Sequence, residues 1–334
     1  MGTGFKMLGK GFAETLLATT NNPFAGLFIG IFTTSLVQSS SCTTAITVGL
    51  VASGAISMHN SIPIIMGANI GTAVTSTIVS LAHIARKAEF RRAFAGSVVS
   101  DVFNMLAVVV ILPLEIKFRI IEKLAHGLTN IFVGAGGIKL VNPLKIISQP
   151  VVKSLVYILG KHPILITITG LVFLFLSLYF FTRAMRDLTT TKAEKYLNEE
   201  IFSSMFKSFI AGLVLTAVVQ SSSVTISLLI PLIGAGIISL EAYFPYVLGA
   251  DIGTTFDTLL AGLVTTDLWA IATAFAHVIF NLLSAAIFYP LRKIPIGIAK
   301  ALGRITTKTR IAAIIYIIVI FYVLPLVLVK ISSR

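Results

Sequence analysis

Long apolar runs separated by short, mostly basic segments organise the chain. Residues 5–20 read as an amphipathic interfacial helix with Lys6 and Lys10 on its polar side. Pro23 opens an apolar run to Val37, four small polar residues follow (Gln38-Ser39-Ser40-Ser41), and a second run covers 43–53. Each run falls short of the roughly 20 apolar residues of a spanning helix, so the spacing predicts a re-entrant hairpin with the serines at its tip. Residues 63–82 come next, interrupted by Gly67-Ala68-Asn69-Ile70-Gly71-Thr72. Glycines flanking an asparagine at membrane depth predict a broken helix with free N–H and C=O ends. Residues 93–113 cross again and carry Asp101 and Asn104. A mixed stretch, 115–161, precedes a clean spanning helix at 163–182 and a charged loop at 183–200. The pattern then returns: runs 209–219 and 224–238 around Gln220-Ser221-Ser222-Ser223, and a predicted break at Gly249-Ala250-Asp251-Ile252-Gly253-Thr254. A crossing at 269–289 contains His277 and Asn281, 292–310 is basic and amphipathic, and 311–329 is a last spanning helix.

The return is an internal repeat. Gln220 follows Gln38 by 182 residues, and Asp251 follows Asn69, and Gly253 follows Gly71, by the same 182. Further on, Phe280-Asn281 follows Phe103-Asn104 by 177, so the intervening loop is five residues shorter. The division expected is 1–22, an interfacial segment; 23–114, the first repeat unit; 115–162, a connection; 163–205, a scaffold helix and charged loop; 206–291, the second unit; and 292–334, a basic amphipathic segment with a C-terminal scaffold helix. If both hairpins return to their own side, three helices cross between the clusters, and an odd count makes the second unit inverted. The loops 86–92, 183–207 and 292–310 then share a side, which their Lys and Arg content makes cytoplasmic, leaving both termini extracytoplasmic. The helix 163–182 has no partner before Phe5, so either the natural chain lacks that helix or the sequence begins late.

Composition narrows the class. The chain has 334 residues, 56% of them hydrophobic and 12% charged, with a mean hydropathy of +0.96. A soluble domain of this size could not cover its surface with so few polar groups, and barrel strands alternate instead of forming long runs. The expectation is an all-α polytopic protein of the cell inner (plasma) membrane. The net charge of +13 sits in the short connecting segments, which reads as cytoplasmic loops and not as a nucleic-acid surface. The one cysteine, Cys42, excludes an intrachain disulfide framework and a cysteine zinc site.

The polar residues inside the apolar runs are the candidate chemistry. Gln38, Ser39, Ser40 and Ser41, with Gln220, Ser221, Ser222 and Ser223, offer hydroxyls and helix-start N–H groups that suit an anion. Close helix packing by small residues is the alternative, but it does not account for Gln followed by three serines twice. Asn69, Thr72, Asp251 and Thr254 stand at the predicted helix breaks, where side-chain and carbonyl oxygens suit a hard cation such as Na⁺. Asp101, Asp251 and Asp257 are the strong acids deep in the spans, with no Lys or Arg at that depth, and read as cation ligands or proton carriers. A protonated Asp bonded to a carbonyl is the alternative, strongest for Asp257, whose first-half equivalent is Thr75. Asn104 and Asn281, at matching positions, complete the candidate cation set. His277 is read as a packing histidine, with a proton site as its alternative. No P-loop, zinc or nucleophile–base constellation appears, so neither an enzyme nor a cofactor is expected.

At these residues the chain resembles the type II sodium-dependent inorganic phosphate cotransporters. The resemblance rests on both QSSS segments, on Ile62-Pro63-Ile64-Ile65-Met66-Gly67-Ala68-Asn69-Ile70-Gly71-Thr72, on Phe90-Arg91-Arg92-Ala93-Phe94-Ala95-Gly96 and on Pro231-Leu232-Ile233-Gly234-Ala235-Gly236. It implies an inverted-repeat domain moving elevator-fashion against a scaffold, Na⁺ as coupling ion, phosphate at both QSSS segments and a homodimer. It also implies Na⁺ and phosphate ligands at Asn69, Thr72 and Thr254, and assigns Asp101 to the acid of the electrogenic members. A bacterial-type minimal form fits the length. Ser100, Asp251 and Asp257 depart from the family's His, Asn and Thr, and the two aspartates add negative charge near an anion site. The alternatives are a sodium- or proton-coupled carrier of another small anion, an anion channel, or a non-transporting subunit that recruits a soluble regulator.

Overall fold

The computed structural model describes residues 22–134, 150, 153–160, 162, 165, 169, 172, 200–265 and 267–332. The predicted interfacial helix at 5–20, the predicted spanning helix at 163–182 (apart from three single positions) and the charged loop up to 199 lie outside the described residues. Every regular element among those described is helical.

Asn22 starts the first repeat: its Oδ1 accepts from Phe24 N at 2.9 Å, and Pro23 takes the first helical position, where a missing N–H costs nothing. Helix α1 (Pro23–Val37) and α2 (Ser40–Ala52) are joined by Gln38 and Ser39 alone. Ser40 and Ser41 therefore belong to the first turn of α2, not to a loop. Helix α3 (Met58–Thr72), α4 (Val74–Ser80), a 3-10 turn (Leu81–His83), α5 (Lys87–Phe118) and α6 (Ile120–Gly134) complete the first half. The second half repeats the order with α7 (Met205–Val219), α8 (Ser222–Ala235), α9 (Leu240–Thr265) and α10 (Leu268–Phe288). It ends on α11 (Lys293–Lys308), α12 (Ile311–Ile318), a π-helical turn (Val319–Val323) and α13 (Leu324–Ser332).

The structure corrects the predicted broken helices. Helix α3 runs through residues 67–72 without interruption and breaks one residue later, at Ala73. In the second half there is no break: residues 249–254 lie inside the continuous α9. The glycines serve packing instead. A Cβ on Gly67 would run into the Leu27 carbonyl oxygen, and one on Gly71 would lie 2.6 Å from Ile31 O. At the equivalent positions a Cβ on Gly249 would meet Phe209 O, and one on Gly253 would lie 2.6 Å from Leu213 O. The partners reciprocate, since Gly30 abuts Ile64 O and Gly212 abuts Tyr246 O. Small residues four apart let α1 lie against α3, and α7 against α9, at backbone contact, the mode by which helices associate where lipid removes the hydrophobic drive. Gly30 and Gly212 are also 182 residues apart, so the repeat extends to the glycines that face the motif.

Among the described residues, four helical stretches are long and apolar enough to cross a bilayer: Met58–His83, Lys87–Phe118, Leu268–Phe288 and Ile311–Ile331. The helices flanking the two serine clusters are shorter apolar segments. Only 22% of the apolar window of Ile311–Ile331 is buried within the chain, against 89% for Met58–His83. The last span therefore presents most of its apolar surface outward, and the α3–α4 stretch is central.

Candidate ion-binding site

Both serine clusters are built by one local device. The helix before each ends on a glutamine in the left-handed region, Gln38 at φ 55° ψ 31° and Gln220 at φ 57° ψ 34°. Its N–H closes the turn onto Thr34 O at 2.7 Å, or Thr216 O at 2.6 Å. Holding a residue with a Cβ in that region costs about 1 kcal/mol or more, and glycine would take it without strain. The next serine caps the following helix: Ser39 Oγ accepts from Cys42 N at 3.2 Å and Ser221 Oγ from Val224 N at 3.4 Å. A threonine pair ties the arms of each break, Thr34 to Thr43 at 2.9 Å and Thr216 to Thr225 at 2.6 Å. Each break thus exposes a helix start, where the first N–H groups have no intrahelical acceptor and the helix dipole favours an anion.

The side chains beside the breaks are already tied down in part. Gln38 donates Nε2 to Ser35 O at 2.6 Å and accepts at Oε1 from Thr75 Oγ1 at 2.5 Å. Ser223 Oγ lies 3.5 Å from Thr72 O, placing the second cluster against the end of α3 in the first repeat. Ser40, Ser222 and Ser223 are buried, and Ser39, Ser41 and Ser221 are half-buried.

Four of the eight predicted cation residues, Asn69, Asn104, Asp251 and Asn281, meet in one hydrogen-bonded chain across the repeats. Asn104 Nδ2 donates to Asp251 Oδ2 at 2.9 Å, and Asn69 Nδ2 donates to Asn281 Oδ1 at 2.9 Å. The two residue pairs are equivalent under the repeat, because 251 matches 69 and 281 matches 104, with the donor and acceptor roles exchanged. Asn281 Nδ2 also donates to the Asp251 carbonyl at 3.1 Å. Beyond Asn69 the chain continues to His277, whose Nε2 donates to Asn69 Oδ1 at 3.1 Å. Its Nδ1 accepts from Thr258 Oγ1 at 2.8 Å, and Thr258 Oγ1 lies 2.9 Å from Thr44 Oγ1. His277 packs as a fully hydrogen-bonded core histidine, and its partner Asn69 belongs to the predicted set.

Asp101 stands one helical turn before Asn104 on the same face of α5, and both are completely buried. Its Oδ2 accepts from the Tyr316 hydroxyl at 3.1 Å, while Thr77 Oγ1 lies 3.5 Å away and closer, 3.0 Å, to Ala73 O. Asp101 Oδ1 and Asn104 Oδ1 have no hydrogen-bond partner among the described residues. A buried polar atom left unsatisfied costs about 1–3 kcal/mol, more when it is charged. An unpaired carboxylate oxygen and an unpaired amide oxygen one turn apart are the donor types a hard cation takes.

The other predicted residues are placed as follows. Thr72 and Thr254 turn their hydroxyls onto their own helix, to Ala68 O at 2.9 Å and Ala250 O at 3.1 Å. Asp257 is half-buried on α9, at the position where the first repeat has Thr75, the residue that holds Gln38. Sequence reasoning missed Tyr316 and Tyr322, which reach in from the last span, Tyr322 donating to Ser35 O at 3.1 Å beside the first break. Tyrosines inside an otherwise aliphatic run were the available signal. It also missed the buried hydroxyls of Ser227 and Tyr243, which have no partner among the described residues and carried no signal in isolation.

A profile described as Na⁺/Pi-cotransporter matches residues 1–140 and 172–329. Sodium-dependent phosphate transport protein 2A of Rattus norvegicus is 33% identical over 96% of this chain and 62% of its own length. The 2A protein of Ovis aries is 32% identical over the same shares, and the 2B protein of Homo sapiens is 30% identical over 97% of this chain and 60% of its own length. The chain thus spans about three-fifths of the curated relatives it matches. No solved structure gives a significant match. With the profile matched over most of its length, the chain belongs to the Na⁺/Pi-cotransporter family.

Proposed function

We propose that this chain is a secondary active transporter that couples inward sodium movement to uptake of inorganic phosphate, and that it is neither an enzyme nor a cofactor protein. The carrying observation is the pair of buried, unpartnered oxygens Asp101 Oδ1 and Asn104 Oδ1, which supply a sodium site beside the bond from Asn104 to Asp251. Sodium removes the desolvation cost that this carboxylate bears inside an apolar span. Asn69 and Asn281 hold the symmetry-related position and are the second candidate cation pair, with Thr72, at the end of α3, and Thr254, inside α9, as further candidates. Phosphate is placed at the two helix starts, recognised by the N–H groups and hydroxyls of Ser39–Ser41 and Ser221–Ser223, with Gln38 and Gln220 shaping the breaks. Asp251 and Asp257 add negative charge near that anion, so cations bind before it.

The short helices around each break enter and leave on one side as re-entrant hairpins in an inverted pair, and the repeat domain moves elevator-fashion against a scaffold. The basic segments lie on the cytoplasmic side of the plasma membrane, with the termini outside. The outward apolar surface of the last span suits lipid or a second copy of the chain, and a homodimer is the assembly proposed. The test is uptake of radiolabelled phosphate into proteoliposomes, with external sodium replaced by choline. Uptake is expected to collapse without sodium; uptake that survives the exchange overturns the coupling, and flux that neither saturates nor concentrates phosphate favours a channel.

A further inference from the structure

Away from the polar chain, a cavity of about 470 Å³ opens where α5, the α8–α9 turn and α11 meet. Among the described residues, four cations line it, Arg91, Arg92, Lys300 and Arg304, against one carboxylate, Glu241. That carboxylate already bonds Lys300, so the cavity keeps a positive excess. Arg92 is anchored: its Nε donates to Gly234 O at 2.8 Å. Arg91 and Arg304 are exposed.

Helix α11 supplies the rest. One face, Pro295, Ile296, Ala299, Gly303 and Thr306, is buried. Gly303 sets the approach to α5, since a Cβ there would lie 2.7 Å from Arg91 O. Ile294, Ile298 and Ile305 remain exposed and fall within about 40° of one another on the helix wheel at 100° per residue. Lys293, Lys300, Arg304 and Lys308 occupy the arc between that stripe and the buried face, and all are exposed. A helix with one packed face, one bare apolar stripe and one basic stripe suits the membrane interface, where apolar side chains enter the acyl boundary and cations meet headgroups. The depth agrees, because Arg91 is in the first turns of the span Lys87–Phe118 and α11 runs directly into the span Ile311–Ile331.

We infer that this cavity is a binding site for the phosphate headgroup of an anionic membrane lipid, whose acyl chain lies along Ile294, Ile298 and Ile305. Fixed charge complementarity supplies the headgroup contact, with guanidinium groups matching phosphate oxygens in paired geometry.

The experiment compares thermal unfolding of the purified full chain in detergent with short-chain phosphatidylglycerol, short-chain phosphatidylcholine or inorganic phosphate added. Phosphatidylglycerol is expected to raise the unfolding temperature beyond phosphatidylcholine, and the double variant Arg91→Gln/Arg304→Gln to lose most of that excess. Should the double variant fail to fold, Arg304→Gln alone, at an exposed helix position, carries the same comparison. The inference is overturned if the two lipids stabilise equally, or if the variant keeps the excess. It is equally overturned if the variant loses stabilisation by inorganic phosphate instead, which would make the cavity a free-phosphate site.

Discussion

In the first repeat Gly67 and Gly71 bring α3 onto the backbone of α1, and in the second Gly249 and Gly253 bring α9 onto α7 through the same atoms. Both units turn on a left-handed glutamine, cap the next helix with a serine and tie the arms with a threonine pair. Their acids do not match. Asp101 in the first repeat corresponds to Val278 in the second, and Asn69 and Thr75 in the first to Asp251 and Asp257 in the second. Ser100 likewise corresponds to His277. Packing obeys the symmetry because both halves must fold the same way, whereas the acidic residues depart from it. The fold is therefore duplicated, and the chemistry is shared unequally between the halves.

Breaking the packing should have the largest effect, and the same effect in both units. Gly67→Leu and Gly249→Leu each drive a side chain into a backbone carbonyl that cannot withdraw. Each is expected to cost at least about 3 kcal/mol, an overpacking penalty at the upper end of its range. Size-exclusion yield of folded protein measures it; one variant folding normally while the other fails would show that the halves do not pack alike.

Changing the acids should separate the halves. Asp101→Asn keeps the shape and removes the charge, and is expected to lower apparent sodium affinity by at least about tenfold, roughly 1.4 kcal/mol. Asp251→Asn makes the second repeat resemble the first at that position while preserving an oxygen for Asn104, so a smaller shift of about threefold is expected. Sodium titrations of phosphate uptake measure both, and equal losses would contradict the unequal sharing. The smallest effect belongs to Tyr316→Phe, which removes one hydroxyl from Asp101. It should alter sodium affinity by about twofold, the low end of a net hydrogen bond's worth, without lowering the yield of folded protein.

Much of this architecture was legible in residue order. The 182-residue offset located both breaks, and the polar residues inside apolar runs named most of the cross-repeat chain before any geometry was known. The glycines misled, because a glycine that breaks a helix and a glycine that lets two helices touch look identical along the chain. Only the facing Gly30 and Gly212 tell them apart. Bonds such as Asn104 to Asp251 and Tyr316 to Asp101 join residues 147 and 215 positions apart. No local periodicity encodes such pairings.

The most direct test records tracer phosphate uptake and electrical current from the same proteoliposomes under an inward sodium gradient, for the unaltered chain and Asp101→Asn. The account predicts that phosphate accumulates with net positive charge moving inward, and that the variant moves less charge per phosphate. Unchanged charge per phosphate in the variant would contradict the placement of sodium at Asp101 and Asn104.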